Sequence, residues 1–404
     1  MKPKYWKALL RRAENGSGPA AYEVAWRMNN GQGVPRDAQR ADQWLEIAVE
    51  RGAPYALRTR FEELIVSEPA RAIPYGKRMV AQGPSNLARD FALQLVYGPT
   101  HDFDLDKART KRGPDPRRGV AWLRELARQD DLHAIKYLAI ILDRPAPLRR
   151  KTNEALEWAK LAAKLGDTTP LVNLGAAAHN GENGRRDYRR SVFCYRLAIR
   201  HADAAAWLNL GRSYMRGHGV ERDERRGVRC FRMALRMGER DAELALAEAL
   251  WAGEGVRRDR AEAWRLATRC ARRGLEAAQV WRGAVLTEES GDTRAQRRGV
   301  RILERLVARG SSMAMNDLGC YLHELEPRAV NLPRAIELYN RSVALGNDGA
   351  MENLAHCFLS GHEGIHPRVP SAAKSLLQQA SLLGNSDART LLRRMAQGSA
   401  GRRA

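Results

Sequence analysis

The chain has 404 residues, 44% of them hydrophobic and 6% aromatic, and its formal net charge is +22. This length suits two or three ordinary domains or one extended repeat array, and the charge favours an acidic partner such as nucleic acid, an anionic membrane surface or an acidic protein. The sequence contains no apolar run of about 18 residues, which argues against a membrane span. Its first residues lack the apolar stretch of a secretory signal, so we expect a cytoplasmic protein.

The cysteines give no sign of a disulfide framework. They are Cys194, Cys230, Cys270, Cys320 and Cys357. An odd number without a C-x-x-C pair argues against both disulfides and a structural zinc site, and is typical of reduced thiols in the cytoplasm. Cys194 and Cys230 lie 36 residues apart, and we interpret them as core residues of neighbouring repeats rather than as a redox pair.

The first third of the chain predicts helices in pairs. Residues 4–14 predict a single helix in front, and residues 19–52 predict a clear pair joined by the loop GQGVPRD. Residues 53–83 predict a shorter pair. Residues 84–130 predict a third pair, interrupted by the polar, Gly- and Pro-marked insert 98–116, which is typical of a loop.

Further along the chain, the same residue types return every 36 residues. The seven positions in step with Gly211 are all glycine or alanine, and leucine precedes six of them. The positions are Ala139, Gly175, Gly211, Ala247, Gly283, Gly319 and Ala355. Such a fixed period predicts a repeat architecture.

A second marker has the same period and predicts where helices end. It consists of Gly166, Ala202, Gly238, Gly274, Gly310 and Gly346, with Gly384 following after a slip of two residues. Glycine just past a helix can adopt the left-handed conformation at little cost.

Each repeat predicts two helices, here named A and B. In the repeat 203–238, residues at i, i+3, i+4 and i+7 mark one face of helix A. They are Trp207, Leu210, Gly211 and Tyr214. The loop 217–223 follows, and Asp223 is placed to cap helix B. We expect the small residue at 211 to let the two helices approach closely.

The loop sequences carry a family resemblance. GQGVPRD (31–37), GHGVERD (217–223) and GEGVRRD (253–259) fit the pattern G-x-G-V-x-x-D, and the third leads into AEAWRLATRCARRG. The chain therefore resembles the Sel1-like repeat family, relatives of the tetratricopeptide repeats. This resemblance implies an all-α fold, a right-handed α-α superhelix (solenoid) of about ten helix-turn-helix repeats with capping helices. It also implies a scaffold for protein complexes without shared catalytic residues.

We expect residues 1–404 to form a single solenoid with a cap at each end. Residues 1–18 form the N-terminal cap. Residues 385–404 form the C-terminal cap, with a predicted helix over 387–396, and the tail that follows it. The predicted repeats are 19–52, 53–83, 84–130, 131–166, 167–202, 203–238, 239–274, 275–310, 311–346 and 347–384.

One short stretch points instead to a metalloprotease. His362-Glu363-Gly364-Ile365-His366 fits the zinc motif H-E-x-x-H, which needs both histidines on one helical face. Gly361, however, falls in step with Gly217 and Gly253, which open the A–B loops. Gly364 and Pro367 also oppose a helix. We therefore interpret the stretch as a repeat loop and predict no metal site.

The remaining signals for an enzyme are weak. THDFDLD in the insert brings together His101, Asp102, Asp104 and Asp106, which could hold a cation but lack the EF-hand spacing. No nucleotide-binding loop, kinase motif or nucleophile motif is present. We predict that the protein is not an enzyme and needs no cofactor.

The predicted partner-binding surface lies on the A helices. The position before each leucine and small residue of the 36-residue period is polar in most repeats. An asparagine side chain at this position could hydrogen-bond an extended peptide or, alternatively, bridge neighbouring helices. The candidate groove residues are Tyr137, Asn173, Asn209, Trp281, Asp317 and Asn353, together with Arg212 and Arg216 on the same helix as Asn209. Ala245 and Asp317 interrupt the row.

Two functions remain open at this point. The first is a non-catalytic scaffold or adaptor that binds an acidic protein or peptide. The resemblance implies a bacterial protein that serves a secretion system or acts as a toxin-immunity protein. The alternative is an RNA-binding repeat protein that uses its basic surface, because some helical arrays bind one base per repeat. Arginine-rich segments such as RDERRGVR (222–229) lie on helix B and are expected on the outer side.

Overall fold

The computed structural model of the protein describes residues 3–65, 67–82, 85–97, 115–144, 151–183, 185–288, 292–325, 328–361, 367–383 and 385–400. Within these ranges all regular secondary structure is α-helical, in 22 helices. The predicted all-α solenoid of helix-turn-helix repeats is confirmed. The chain divides into two compact units, Met1–Gly175 (unit 1) and Ala176–Ala404 (unit 2), so a single array over the whole chain stays a prediction.

Unit 1 begins with the helix that the sequence predicts in front of the repeats. The insert 98–116 follows the first helix of the third pair; only its last two residues, Asp115 and Pro116, belong to the described ranges. The helices are α1 (Pro3–Glu14), α2 (Gly18–Asn30), α3 (Ala38–Glu50), α4 (Pro54–Leu64), α5 (Pro69–Gln82), α6 (Ser85–Tyr97), α7 (Pro116–Arg128), α8 (Leu132–Asp143), α9 (Thr152–Lys164) and α10 (Thr169–Asn180), within which the division falls.

Unit 2 continues the pairs with one A and one B helix in each repeat. Its helices are α11 (Tyr188–Arg200), α12 (Ala204–Arg216), α13 (Glu224–Arg236), α14 (Ala242–Ala252), α15 (Arg260–Arg272), α16 (Glu276–Glu288), α17 (Thr293–Ala308), α18 (Ser312–Glu324), α19 (Arg328–Ala344), α20 (Asp348–Ser360), α21 (Pro370–Leu383) and α22 (Ser386–Ala400). The last helix extends beyond the predicted 387–396. The HEGIH stretch, residues 362–366, lies outside the described residues.

Aspartate caps begin several of the B helices, as the loop motif predicts. The Asp223 carboxylate accepts the backbone N–H of Arg226 at 2.8 Å, and Asp259 accepts that of Glu262 at 2.9 Å. The same cap begins α3, α7 and α11. Such a cap satisfies a backbone donor that has no partner within the helix, so the loop sequence alone decides where helix B starts.

The small residues of the 36-residue period lie where helices A and B touch. A Cβ on Gly211 would come within 2.6 Å of the Phe231 ring, and one on Gly319 within 2.7 Å of the Tyr339 ring. Phe231 and Tyr339 are themselves buried. The predicted close approach is therefore confirmed, because each glycine leaves space for an aromatic ring of the partner helix.

The helix-end marker also behaves as predicted. Gly238, Gly274 and Gly346 adopt φ values of 92°, 90° and 83°, in the left-handed region. Ala202 occupies the same slot with φ 59°, although its Cβ disfavours this conformation. The repeat therefore imposes this backbone turn even where glycine is missing.

Candidate functional site

The two predicted groove residues of unit 1 differ in their surroundings. Tyr137 on α8 is half-buried and packs against the apolar core of the unit. Asn173 on α10 is exposed. The tyrosine thus contributes to packing between helices, whereas the asparagine is accessible to a partner.

In unit 2 the same repeat position also serves packing in some repeats. The rings of Trp281 and Trp251 meet edge-on, with their centroids 5.6 Å apart and an interplanar angle of 84°. Ala245 is buried at 8% exposure. Asn209 is half-buried, and its Oδ1 accepts a long hydrogen bond of 3.5 Å from Arg212 Nη1.

Asp317 and Asn353 belong to a hydrogen-bonded row that joins α18 to α20. Asn353 Nδ2 donates to Asn316 Oδ1 at 2.9 Å and to Cys320 Sγ at 3.2 Å. Asn316 Nδ2 in turn donates to Asp317 Oδ1 at 3.1 Å. Burial raises the pKa of the Asp317 carboxyl, and the Asn316 bond opposes that shift. These side chains bridge neighbouring A helices, which is the alternative role that the sequence left open; a role in partner binding stays a prediction.

Arg212 and Arg216 are exposed on α12 and open onto a groove of about 920 Å³ within unit 2. We call this the histidine groove. It is lined by residues of helices α10 to α14, of the loops that follow α10, α12 and α14, and of α20 to α22. The charged and aromatic ones are His179, Arg186, Tyr188, Arg212, Arg216, His218, Arg222, Phe231, Glu248, Glu254, Asp348 and Asp387. Its volume lies in the range of sites for peptide segments and small molecules.

Three aromatic rings meet at the basic side of the histidine groove. Tyr188 and His218 stack with their ring centroids 4.2 Å apart and an interplanar angle of 12°. The His179 ring lies 5.0 Å from Tyr188 and 5.2 Å from His218. Arg186 Nη1 donates to the Tyr188 hydroxyl at 3.0 Å, which ties a guanidinium group to the stack.

The two histidines are held in their neutral form. Burial lowers the pKa of His179 to about 4, and the nearby His218 and Arg186 add to the shift. Burial also lowers the pKa of His218, with Arg216 and Arg186 contributing. At neutral pH each imidazole can therefore donate one hydrogen bond and accept another.

Only some of the charges of the histidine groove are paired, and Arg222 forms an ion pair with Glu224 at 2.6 Å. Arg212 and Arg216 form no ion pair with any described residue, and Glu248 on α14 forms none within the same ranges. Glu248 is exposed to the groove, yet the surrounding protein desolvates its carboxylate and raises its pKa, while Arg212 and Arg216 act in the opposite direction. A ligand that enters thus meets two guanidinium groups and a carboxylate.

A contact far apart in the sequence borders the same groove. Arg186 Nη2 donates to the backbone carbonyl of Leu383 at 2.8 Å, across 197 residues of sequence. Arg186, in the loop after α10, is thereby joined to the last residue of α21. Asp348, Asn385 and Asp387 line the groove on this side.

Sequence reasoning missed the two histidines. His218 occupies the variable position of the GHGVERD loop, where the neighbouring repeats have Glu182 and Glu254. This change from acid to imidazole was the available signal. His179 and Tyr188 carry no such signal, because nothing in the 36-residue period indicates that their rings meet.

No described residue set suggests a metal centre or a reactive thiol. Within the described ranges, no group of three or more His, Cys, Asp and Glu side chains could hold a metal ion. The THDFDLD and HEGIH stretches lie outside those ranges. Cys194 and Cys230 are buried and form no disulfide, as interpreted from their period, and burial raises the pKa of Cys230 to about 11, which keeps it a thiol.

A membrane-crossing helix is not seen either. Among the helices of the described residues, none combines the length and the apolar character that a bilayer span requires.

The fold and its repeating pairs define an α-solenoid of helix-turn-helix repeats. The Sel1 repeat model matches residues 18–52, 110–131, 133–167, 171–203, 204–239, 240–275, 312–347 and 349–385. The chain belongs to the Sel1 repeat family. The stretches between these matches include the repeats near 53, 84 and 276, where the loop motif is missing.

Solved structures of similar fold share about a fifth of the sequence. A protective antigen of uropathogenic Escherichia coli with an SLR fold is 20% identical, with 96% of this chain and 81% of that chain covered and a TM-score of 0.47. A Sel1 repeat protein from Oxalobacter formigenes is 20% identical (97% and 90% covered, TM-score 0.44). An immunity protein from Pseudomonas aeruginosa is 18% identical (53% and 81% covered, TM-score 0.40). A search among curated proteins finds no match.

Proposed function

We propose that this protein is a non-catalytic scaffold or adaptor that binds a segment of another protein in the histidine groove. The observation that carries the proposal is the pair Arg212 and Arg216, which open onto the groove without an ion pair to any described residue. They lie beside the Tyr188–His218 stack. The Sel1 repeat fold supports the proposal, because solenoids of this kind present extended binding surfaces.

An acidic side chain of the partner fits the basic side of the groove. Guanidinium groups bind carboxylates through two parallel hydrogen bonds, and these bonds are stronger in a half-enclosed site than in open water. The neutral imidazoles of His179 and His218 and the Tyr188 ring offer further hydrogen bonds and an apolar surface to a peptide. The Glu248 carboxylate suits a backbone N–H or a basic side chain of the same segment.

The family resemblance extends the proposal to a cellular role. Sel1-like proteins of bacteria serve as secretion-system adaptors or toxin-immunity proteins, and we propose one of these roles in the cytoplasm for this chain. In either role the groove would hold the partner without acting on it chemically.

Site-specific crosslinking in the native cells tests the proposal. A photo-crosslinking residue replaces Ala252, which is exposed at the groove, and in a matched control replaces Gln378, which is exposed on α21 away from it. We expect a protein adduct at position 252 that survives nuclease treatment, is absent at 378 and is lost in the variant Arg212→Ala/Arg216→Ala. Absence of an adduct at 252 would overturn the proposal.

The same experiment separates the alternative function. An adduct at position 252 that nuclease removes would favour RNA binding in the groove over a protein partner. RNA binding there would also weaken steeply with salt, because displaced counterions return to the phosphates.

A further inference from the structure

The B helices of unit 2 carry arginines at matching positions of the repeat. On α13 the residues at i, i+4, i+7 and i+11 are all arginine and lie along one face. The same four positions on α11, α13, α15 and α17 hold eleven arginines among sixteen residues, and the only acid is Glu304. We call these arginines the arginine lattice: Arg189, Arg196, Arg200, Arg225, Arg229, Arg232, Arg236, Arg265, Arg272, Arg297 and Arg301.

The arginine lattice is exposed and almost without counter-charges. All eleven side chains are exposed, and only Arg265 forms an ion pair with a described residue, Glu262 at 3.3 Å. Glu304 is engaged elsewhere, with Arg334 at 3.0 Å. Like charges one helical turn apart repel each other, so this arrangement lowers helix stability instead of raising it.

The next B helix shows that the pattern is local. At the equivalent positions α19 has Pro333, Glu337, Asn340 and Ala344, with one acid and no cation. A general excess of arginine in the chain would not stop at α17. The lattice is therefore a feature of four consecutive repeats.

The loops between helices set neighbouring B helices side by side. A Cβ on Gly219, in the loop before α13, would lie 2.2 Å from the carbonyl oxygen of Tyr188 at the start of α11. A Cβ on Gly255, before α15, would lie 2.2 Å from the carbonyl carbon of Glu224 at the start of α13. These contacts bring the starts of neighbouring B helices close together, and residues one turn apart on each helix are separated by about 5–6 Å, so the arginines form a grid made of one row along each helix.

We propose that the arginine lattice binds nucleic acid through its phosphate backbone. Arginine binds phosphate through two hydrogen bonds and remains charged at all physiological pH values. A row of phosphates supplies many negative charges at short, regular spacing, which a grid of cations matches. Phe193 is exposed at 48% within the grid and offers a ring on which a base can stack.

Other polyanions fit the lattice less well. The centre of a protein–protein interface is depleted of charged residues and rich in apolar anchors, whereas this surface has one apolar anchor. An anionic membrane surface would likewise find only Phe193 to insert among the lipids.

The inference does not depend on the proposed function. The histidine groove uses Arg212 and Arg216 on helix A, and the lattice uses arginines on the B helices, so either site can fail alone.

Binding to defined probes tests the lattice. The probes are a labelled single-stranded RNA of about 30 nucleotides, a duplex DNA of similar length and phosphatidylcholine vesicles with about a third phosphatidylserine. The variant Arg229→Glu/Arg232→Glu is compared with Arg393→Glu/Arg394→Glu, which changes the same charge at exposed positions of α22. Thermal unfolding checks that both variants fold.

We expect the full-length protein to bind RNA or DNA. The logarithm of the association constant should fall linearly with the logarithm of the salt concentration. Loss of two phosphate contacts should reduce the slope by about 1.4 for RNA, and the α13 variant should bind at least about tenfold more weakly near 0.1 M salt. The α22 variant should stay within about twofold of the unchanged protein. The proposal is overturned if neither nucleic acid binds, if both variants weaken binding equally, or if vesicles bind and nucleic acids do not.

Discussion

The histidine groove and the arginine lattice place the same residue type in two different settings of unit 2. In the groove, Arg212 and Arg216 line a half-enclosed space together with the Tyr188–His218 stack and the Glu248 carboxylate. In the lattice, the arginines are exposed on successive B helices, and only Arg265 forms an ion pair with another described residue, Glu262. The position within the repeat, on helix A or helix B, decides which setting an arginine enters.

A charge acts differently in the groove and on the lattice because the two regions differ in their exposure to water. In the groove the protein desolvates neighbouring groups, lowering the pKa of His179 and raising that of Glu248, so a few charges can select one ligand geometry. On the lattice the charges are in open water, where each contributes little and the number of contacts decides the affinity.

The largest effect on stability should come from a substitution in the loop before α13, which borders both the histidine groove and the arginine lattice. Gly219 lies beside His218 of the groove and against Tyr188 and Arg189 at the start of α11. We expect Gly219→Ala to lower the free energy of unfolding by about 3 kcal/mol or more, because the new Cβ meets backbone atoms and φ is positive. Urea unfolding measures the change.

The matched control for this substitution is Gly238→Ala. Gly238 has φ 92° but nothing within 4 Å of its Cβ position, so only backbone strain of about 1 kcal/mol should result. Equal losses in the two variants would contradict the close packing of the loop.

The second effect separates the two binding regions. We expect Arg212→Ala/Arg216→Ala to reduce the yield of the protein crosslink at position 252 by more than tenfold, because charge-assisted hydrogen bonds to carboxylates contribute about 1.5–3 kcal/mol each. The free energy of unfolding should change by less than about 0.5 kcal/mol, since both side chains are exposed.

Arg229→Glu/Arg232→Glu is the reciprocal variant. It should leave the crosslink at position 252 unchanged while weakening the binding of RNA. Loss of both signals in one variant would show that groove and lattice are not separate sites.

The third effect is a dependence of stability on pH that comes from His179. Its pKa of about 4 in the folded protein lies below the ordinary 6.5, so the unfolded chain takes up a proton first as the pH falls. Stability should be complete above about pH 6.5 and decline from there towards pH 4. Replacing the ring by His179→Gln should reduce this decline by up to about 2 kcal/mol, allowing for its partial exposure.

Thermal unfolding across this pH range measures the difference. The control is His201→Gln, because His201 is exposed at the end of α11. An unchanged decline in the His179 variant would mean that the folded protein does not hold this ring neutral.

The smallest effect concerns the helix-end marker. Ala202 adopts φ 59° in the slot where the other repeats have glycine. We expect Ala202→Gly to raise the free energy of unfolding by about 1 kcal/mol by removing the strain of its Cβ. A decrease, measured by urea unfolding, would contradict this reading of the repeat.

The sequence predicted the features that depend on residues close together in the chain. Asp223 caps helix B three residues before its bond partner, and Gly211 makes room for Phe231 only 20 residues later. Because the sequence repeats every 36 residues, the same local rules apply in each repeat along the chain. The helix pairs, their caps and their close approach were predictable for this reason.

The row of candidate groove residues shows where this reasoning stops. The sequence treats Trp281, Asp317 and Asn353 as equivalent, but in the structure each meets a different neighbour. Trp281 packs on Trp251, whereas Asn353 bonds to Asn316 on the adjacent A helix. Equivalent positions share a backbone environment, while the side chains of the next repeat decide the contact.

The sequence by itself determined the repeat family, the helix pairs and the periodic arginines, because capping, helical periodicity and turn geometry act over a few residues. Only the tertiary structure decided that the rings of His179, Tyr188 and His218 meet in the groove that Arg212 lines and that the end of α21 at Leu383 reaches Arg186. It also decided which arginines have no counter-charge among the described residues. These contacts join residues distant in the chain, and they depend on how the helix pairs of unit 2 stack on one another.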